Sequence, residues 1–109
     1  MEKVLWYLIA GTRGGENRAR IIRALARRPF NANQLASRLE LEYNTIRYHL
    51  DMLIDHGILE TGGDDYGKLY FFTDQFEHHY EEFERVVERM DFETDPVGWG
   101  EPEPTEQED

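Results

Sequence analysis

The chain has 109 residues, with 23 Asp or Glu against 12 Lys or Arg, a formal net charge of −11, and no cysteine. That length supports one modest hydrophobic core, and the missing cysteines exclude disulfides, thiolate metal sites and cysteine redox switches. The charge is unevenly divided, since residues 1–57 hold nine basic side chains against six acidic ones and residues 58–109 hold three against seventeen.

The apolar run VLWYLIA at 4–10 is far shorter than the ~20 residues a membrane span needs, and no cleavage motif follows Glu2 and Lys3. A cytoplasmic chain is expected. The run reads as a helix, although its β-friendly residues leave a strand open. A second helix should run from about Glu16 to Arg28. It is entered through TRGGENR, where Gly14 and Gly15 suit a turn, while Arg13 and Arg18 lie where backbone N–H groups and the helix dipole favour a phosphate. The segment is not a nucleotide loop, because it lacks a preceding strand and a following Lys-Ser/Thr. Arg20, Arg23, Arg27 and Arg28 read equally as a solvated face or as phosphate-facing cations.

NANQLASRL at 31–39 and LEYNTIRYHLDMLIDHGIL at 41–59 form the most informative stretch. Leu35, Ala36 and Leu39 share one face of a first short helix, and Tyr43, Ile46, Leu50 and Leu53 share one face of a second. The opposite face of the second helix carries Asn44, Arg47, Tyr48 and Asp51, side chains that donate to and accept from base edges. Gly57 sits where a left-handed cap belongs. Extended chain then resumes at Ile58 to Thr61, GGDDYG at 62–67 suits a turn, and KLYFFT places Leu69 and Phe71 on one side with Lys68 and Tyr70 on the other. Helix, helix, hairpin in this order predicts a helix-turn-helix opening into a two-stranded wing, a stronger signal than an αα-hairpin alone.

A last helix is expected from about Asp74 to Met90, with Phe76, Tyr80, Phe83, Val87 and Met90 repeating at spacings of 4, 3, 4 and 3. That is a heptad-type seam. A wing of this size should not bury the whole stripe, so the seam is expected to meet a second copy, with Leu5, Trp6, Leu8 and Ile9 beside it. The alternative is a monomer whose last helix folds onto its own core. His49 should pack at the inner edge of the second short helix, and His56 should lie near its C-terminus, where a cation is favoured. Residues 91–109 hold eight acidic residues, three prolines and no Lys or Arg, the composition of a disordered, solvating tail. Trp99 and Val97 are exceptions that suit docking on the dimer or a partner.

LIAGTRGGENRARIIRAL at 8–25, NANQLASRL at 31–39 and LEYNTIRYHLDMLIDHGILE at 41–60 resemble the ArsR-like winged helix-turn-helix transcriptional regulators, especially the small acidic versions of salt-loving archaea. The resemblance covers roughly residues 4–90, and implies a DNA-binding dimer that represses or tunes transcription. Glu40 departs from it by occupying a turn where Gly, Asn or Asp is easier, and Asp64 and Asp65 stand at a wing tip that often carries basic residues. A metal-sensing branch places His and carboxylate ligands on the last helix. His78, His79 and Glu82 resemble only half of that set, so no metal is expected.

The expected fold is thus mainly α with a small β-hairpin wing (α+β). Residues 1–90 form one winged helix-turn-helix domain with N- and C-terminal dimerisation helices, and 91–109 form an acidic tail. The expected function is sequence-specific binding of double-stranded DNA by a homodimer at an inverted repeat, with a winged-helix module for protein assembly as the alternative. Asn44 and Arg47 are the candidate base readers, flanked by Tyr43, Thr45 and Tyr48. Arg13, Arg18, Asn33, Tyr66 and Lys68 are candidates for the DNA backbone. No nucleophile, base and orienting group converge, so no enzyme is expected, nor is a cofactor or small-molecule pocket legible. At molar salt the Debye length falls to about 3 Å, which screens an acidic surface from DNA and suggests a halophilic host. The alternative is a mesophile protein with an acidic tail.

Overall fold

The structure, a computed structural model, describes residues 1–63 and 68–92. The wing-tip residues 64–67 and the tail from 93 onward, with the expectations placed on Asp64, Asp65, Tyr66, Val97 and Trp99, lie outside the described residues.

The first apolar run is helical rather than extended. Helix α1 (Glu2–Leu5) continues into a π-helical turn, Trp6–Ala10, closed by the Gly11 N–H donating to the Trp6 carbonyl at 2.8 Å. Beyond it, Gly14 adopts φ 85°, and α2 (Gly15–Arg27) starts against the end of the first helix. The approach is so close that a Cβ on Gly15 would lie 1.8 Å from the Ile9 carbonyl oxygen. No side chain fits there.

Helix α3 (Ala32–Leu39) opens on a reciprocal capping box. The Gln34 N–H donates to Asn31 Oδ1 at 2.8 Å, and the Asn31 N–H donates to Gln34 Oε1 at 2.9 Å. It closes on Glu40, held left-handed at φ 58°, and the Leu41 N–H reaches back to the Ala36 carbonyl at 3.0 Å. Three residues therefore separate α3 from α4 (Tyr43–Asp55). Gly57, at φ 81°, then turns the chain outward as expected.

Strand β1 (Leu59–Gly62) pairs antiparallel with β2 (Leu69–Phe72), Leu59 opposite Phe72 and Thr61 opposite Tyr70. The phase of β2 differs from the sequence expectation. Tyr70 is 4% exposed and points inward, whereas Phe71 is 37% exposed. The cause is a rung from outside the hairpin, in which the Tyr70 N–H donates to the Phe30 carbonyl at 3.0 Å and ties β2 to the loop before α3. LYFF is apolar on both faces, so its alternation cannot choose a side. Lys68 precedes the paired register and does not report the strand's phase.

The last helix is two helices. Thr73 accepts the Phe76 N–H at 3.1 Å and donates to the Gly57 carbonyl at 2.7 Å, starting α5 (Asp74–His78) beside the end of α4. At His79 (φ −114°, ψ 15°) the helical path breaks, and α6 (Tyr80–Met90) begins.

This break changes what happens to the aromatic stripe. Phe76 packs edge-on against Phe72 (ring centroids 4.9 Å apart) and against Phe83 (6.0 Å), while Tyr80 lies 5.4 Å from Phe83. Phe76, Phe83 and Val87 are buried within one protomer, as are Leu5, Leu8 and Ile9, because α6 packs along the N-terminal helix. The stripe is thus covered in part, with Phe76, Phe83 and Val87 buried, and of the residues expected at a subunit contact Trp6, Tyr80 and Met90 stay partly uncovered. Among the described residues no helix is long and apolar enough to cross a membrane.

Candidate nucleic-acid interface

Helix α4 divides cleanly. Ile46, His49, Leu50 and Leu53 are buried against α2, α3 and β1, which fixes the helix as a rigid body. Tyr43, Asn44, Arg47, Tyr48 and Asp51 are exposed, with Thr45 half-buried between the faces. Of these, Tyr48 is 60% exposed, an unusual position for so large a ring. The sequence-predicted readers are thus brought together on one outward surface. Arg47 is oriented within it, since Nη1 donates to the Tyr43 hydroxyl at 3.1 Å and the guanidinium stands 5.8 Å from the Tyr43 ring centroid. That hydrogen bond, helped by the nearby Tyr70 and Tyr43 hydroxyls and by Asp51, holds the guanidinium even more firmly charged than usual.

The flanking candidates separate. Arg13, Asn33 and Lys68 are exposed, on the loop before α2, on the first turn of α3 and at the start of the second wing strand respectively. Arg18 is not at the surface. Its side chain is wholly buried, Nε donating to the Leu8 carbonyl at 2.8 Å, Nη1 to His49 Nδ1 at 3.1 Å, and Nη2 to the Arg13 carbonyl at 2.8 Å and to the Thr12 hydroxyl. It therefore cannot grip a phosphate as expected. Two of the four acceptors are carbonyls, and the one from Leu8 lies in the last turn of the first helix, the pole at which a cation is stabilised.

This cluster was missed by sequence reasoning, yet a signal was present. Arg18, Ile22 and Leu25 follow one another at helical spacing on the inward face of α2, so periodicity alone places Arg18 inside. Two further arginines are also partly engaged. Arg20 donates to the Leu39 carbonyl at 3.2 Å and to Asn17 at 3.2 Å, and Arg23 stands 3.7 Å from Glu84. Arg28 and Arg38 place their guanidiniums 4.4 and 4.7 Å from the centroid of the Phe30 ring.

His79 Nδ1 and Glu82 Oε2 are 2.8 Å apart at the start of α6, and that hydrogen bond holds the Glu82 carboxyl below its ordinary range. His78 is exposed, and no group of three or more ligating side chains is assembled among the described residues. His56 Nδ1 lies 2.9 Å from the Met52 carbonyl near the end of α4, with its ring 5.7 Å from Tyr7.

A helical hairpin with a polar outer face, followed at once by a two-stranded wing, defines a winged helix-turn-helix. Residues 16–62 match the family model described as helix-turn-helix domain. The fold is similar to that of a probable transcriptional regulator from Pseudomonas aeruginosa (TM-score 0.62, 16% identity, 97% of this chain and 79% of that one). It is similar to the PcaV transcriptional regulator from Streptomyces coelicolor (TM-score 0.59, 19% identity, 95% and 74%). It is similar too to reduced HlyU from Vibrio cholerae (TM-score 0.58, 20% identity, 82% and 87%). No curated protein matches the sequence.

Proposed function

We propose that this protein is a sequence-specific DNA-binding transcription regulator of the ArsR-like type that acts as a homodimer on an inverted repeat and represses by occupying its site. The observation that carries the reading is the outer face of α4, where Tyr43, Asn44, Arg47 and Tyr48 stand exposed on a helix whose other side is locked into the core. Asn suits adenine and Arg suits guanine in a major groove about 12 Å wide. Arg13, Asn33 and Lys68 are exposed and suit phosphates, with Tyr66 assigned to the same task. The match of residues 16–62 to a helix-turn-helix domain supports it.

The homodimer joins through the N-terminal helix and α6, using the partly uncovered Trp6, Tyr80 and Met90. Two reading helices about 34 Å apart would call for half-sites about 10 base pairs apart, or a multiple. A net charge of −11 suits activity at high salt in a halophilic cytoplasm. There counterion release contributes little, and base contacts and bridging water contribute more.

Selection of bound DNA from a random pool at molar KCl tests the proposal. The native protein should recover an inverted repeat, and Arg47→Ala should relax one base position by about 1–3 kcal/mol. Recovery without preference, insensitive to Arg47, would replace DNA reading with a protein-assembly role.

A further inference from the structure

We infer that Arg18 and His49 form an acid-sensitive latch between the N-terminal helix and the reading helix. While His49 is neutral the latch holds α4 in its reading pose, and when His49 takes up a proton the latch opens and DNA affinity falls.

The geometry is specific about the proton. Arginine has donors and no acceptor, so the 3.1 Å contact from Arg18 Nη1 requires a lone pair on His49 Nδ1 and leaves the imidazole proton on Nε2. A second proton from solvent can be added only at Nδ1. That removes the acceptor and sets two cations against each other at hydrogen-bond distance, inside the protein, where charges are weakly screened. His49 is 5% exposed and Arg18 is wholly buried.

Few groups face this pair. Arg18 comes from α2, Tyr48 lies beside His49 on α4 with ring centroids 5.3 Å apart, and the Thr12 hydroxyl, which accepts from Arg18, donates to the Tyr7 carbonyl of the π-helical turn. The Gly14 backbone closes the remaining side, where a Cβ would lie 2.6 Å from the His49 ring. Among the described residues no carboxylate forms a salt bridge with Arg18 or His49. In accord with this, burial and then the Arg18 charge push His49 below its ordinary value. The folded state thus resists a proton that the released state accepts, and acid favours release.

The latch has one end on each working part of the molecule. Arg18 grips the Leu8 and Arg13 carbonyls and the Thr12 hydroxyl, where the first helix ends, while His49 is the residue next to the exposed Tyr48. Arg18 is a positioning residue, acting on the reading face through His49. The consequence for affinity rests on the DNA-binding reading, whereas the latch itself does not.

The experiment has two arms on the full chain. Without DNA, His49 is titrated by NMR in molar KCl from about pH 8 to about pH 5. The latch predicts that His49 titrates below the ordinary histidine value, and that its titration moves the amides of residues 7–13 and of α4 together. With the selected DNA, native affinity should fall over the same interval, by up to about tenfold per pH unit per protomer, the limit for one proton taken up. His49→Gln, whose amide oxygen still accepts from Arg18 but does not titrate, should give a flat profile whatever its absolute affinity. An ordinary His49 titration with shifts confined to its neighbours overturns the latch, as does a His49→Gln profile that parallels the native one. If no DNA preference exists, the NMR arm still decides the latch, and only the DNA-binding reading is lost.

Discussion

Glu40 is held at φ 58°, in the left-handed region, where its backbone N–H caps α3 by pointing at the Ala36 and Ser37 carbonyls. A residue with a Cβ is strained there by roughly 1–2 kcal/mol, and glycine is not. Glu40→Gly should therefore stabilise the protein by about 1 kcal/mol, against glycine's extra freedom in the unfolded chain. Thermal unfolding reads this as a midpoint rise of roughly 4–8 °C for a domain of this size, and a lower midpoint would show that the Glu40 side chain has a role outweighing the strain. The turn anomaly was legible because the sequence puts Glu where Gly, Asn or Asp is easier. For Arg18 the helical spacing with Ile22 and Leu25 marked the inward face, but arginine's usual place is the surface, and its hydrogen-bond partners, carbonyls ten and five residues away along the chain, were not legible.

At the scale of elements, the short helix α3 relies on its ends. Eight residues are too few for a stable helix in isolation, and the Asn31–Gln34 box satisfies two backbone donors that would otherwise be left open. Asn31→Ala should cost about 1 kcal/mol, measured as a lower urea midpoint with an unchanged denaturant slope. Because α3 packs against α4, the same variant tests how firmly α4, the proposed reading helix, is seated. The order of helices and hairpin was readable from periodicities of 3.6 and 2, and so were the two faces of α4 except at Tyr43, which was expected on the face of Ile46, Leu50 and Leu53 and is instead exposed beside Arg47. The phase of the wing and the break at His79 were not. The wing's phase is set by a partner distant in sequence, Phe30, and a stretch apolar on both faces carries no information about which face such a partner selects; α5 likewise starts from a distant tie, Thr73 to the Gly57 carbonyl.

For the molecule as a whole, a net charge of −11 on 109 residues means mutual repulsion within the folded chain. Raising KCl shortens the Debye length from about 10 Å at 0.1 M to about 3 Å at 1 M, so the unfolding midpoint should climb across that range, and a midpoint indifferent to KCl would show that the acidic groups are spaced too widely to repel. The split between a basic first half and an acidic second half was plain in the sequence. The burial of most of the expected dimer seam was not, because a stripe count does not reveal that the N-terminal helix lies along α6 and covers it.

The five-residue turn at Trp6–Ala10 also sets a rotational phase. Each residue advances an α-helix by about 100°, and the i to i+5 closure from Gly11 back to Trp6 accommodates one residue more than a regular turn. Without that extra residue, everything before Trp6 would be wound about 100° around the helix axis relative to α2. Leu5, wholly buried beside α6, would leave its socket, and the charged Glu2 and Lys3 would be swung from their exposed positions. The π turn is thus the adjustment that lets the same first helix meet α6 with its apolar edge while offering the Leu8 carbonyl to Arg18.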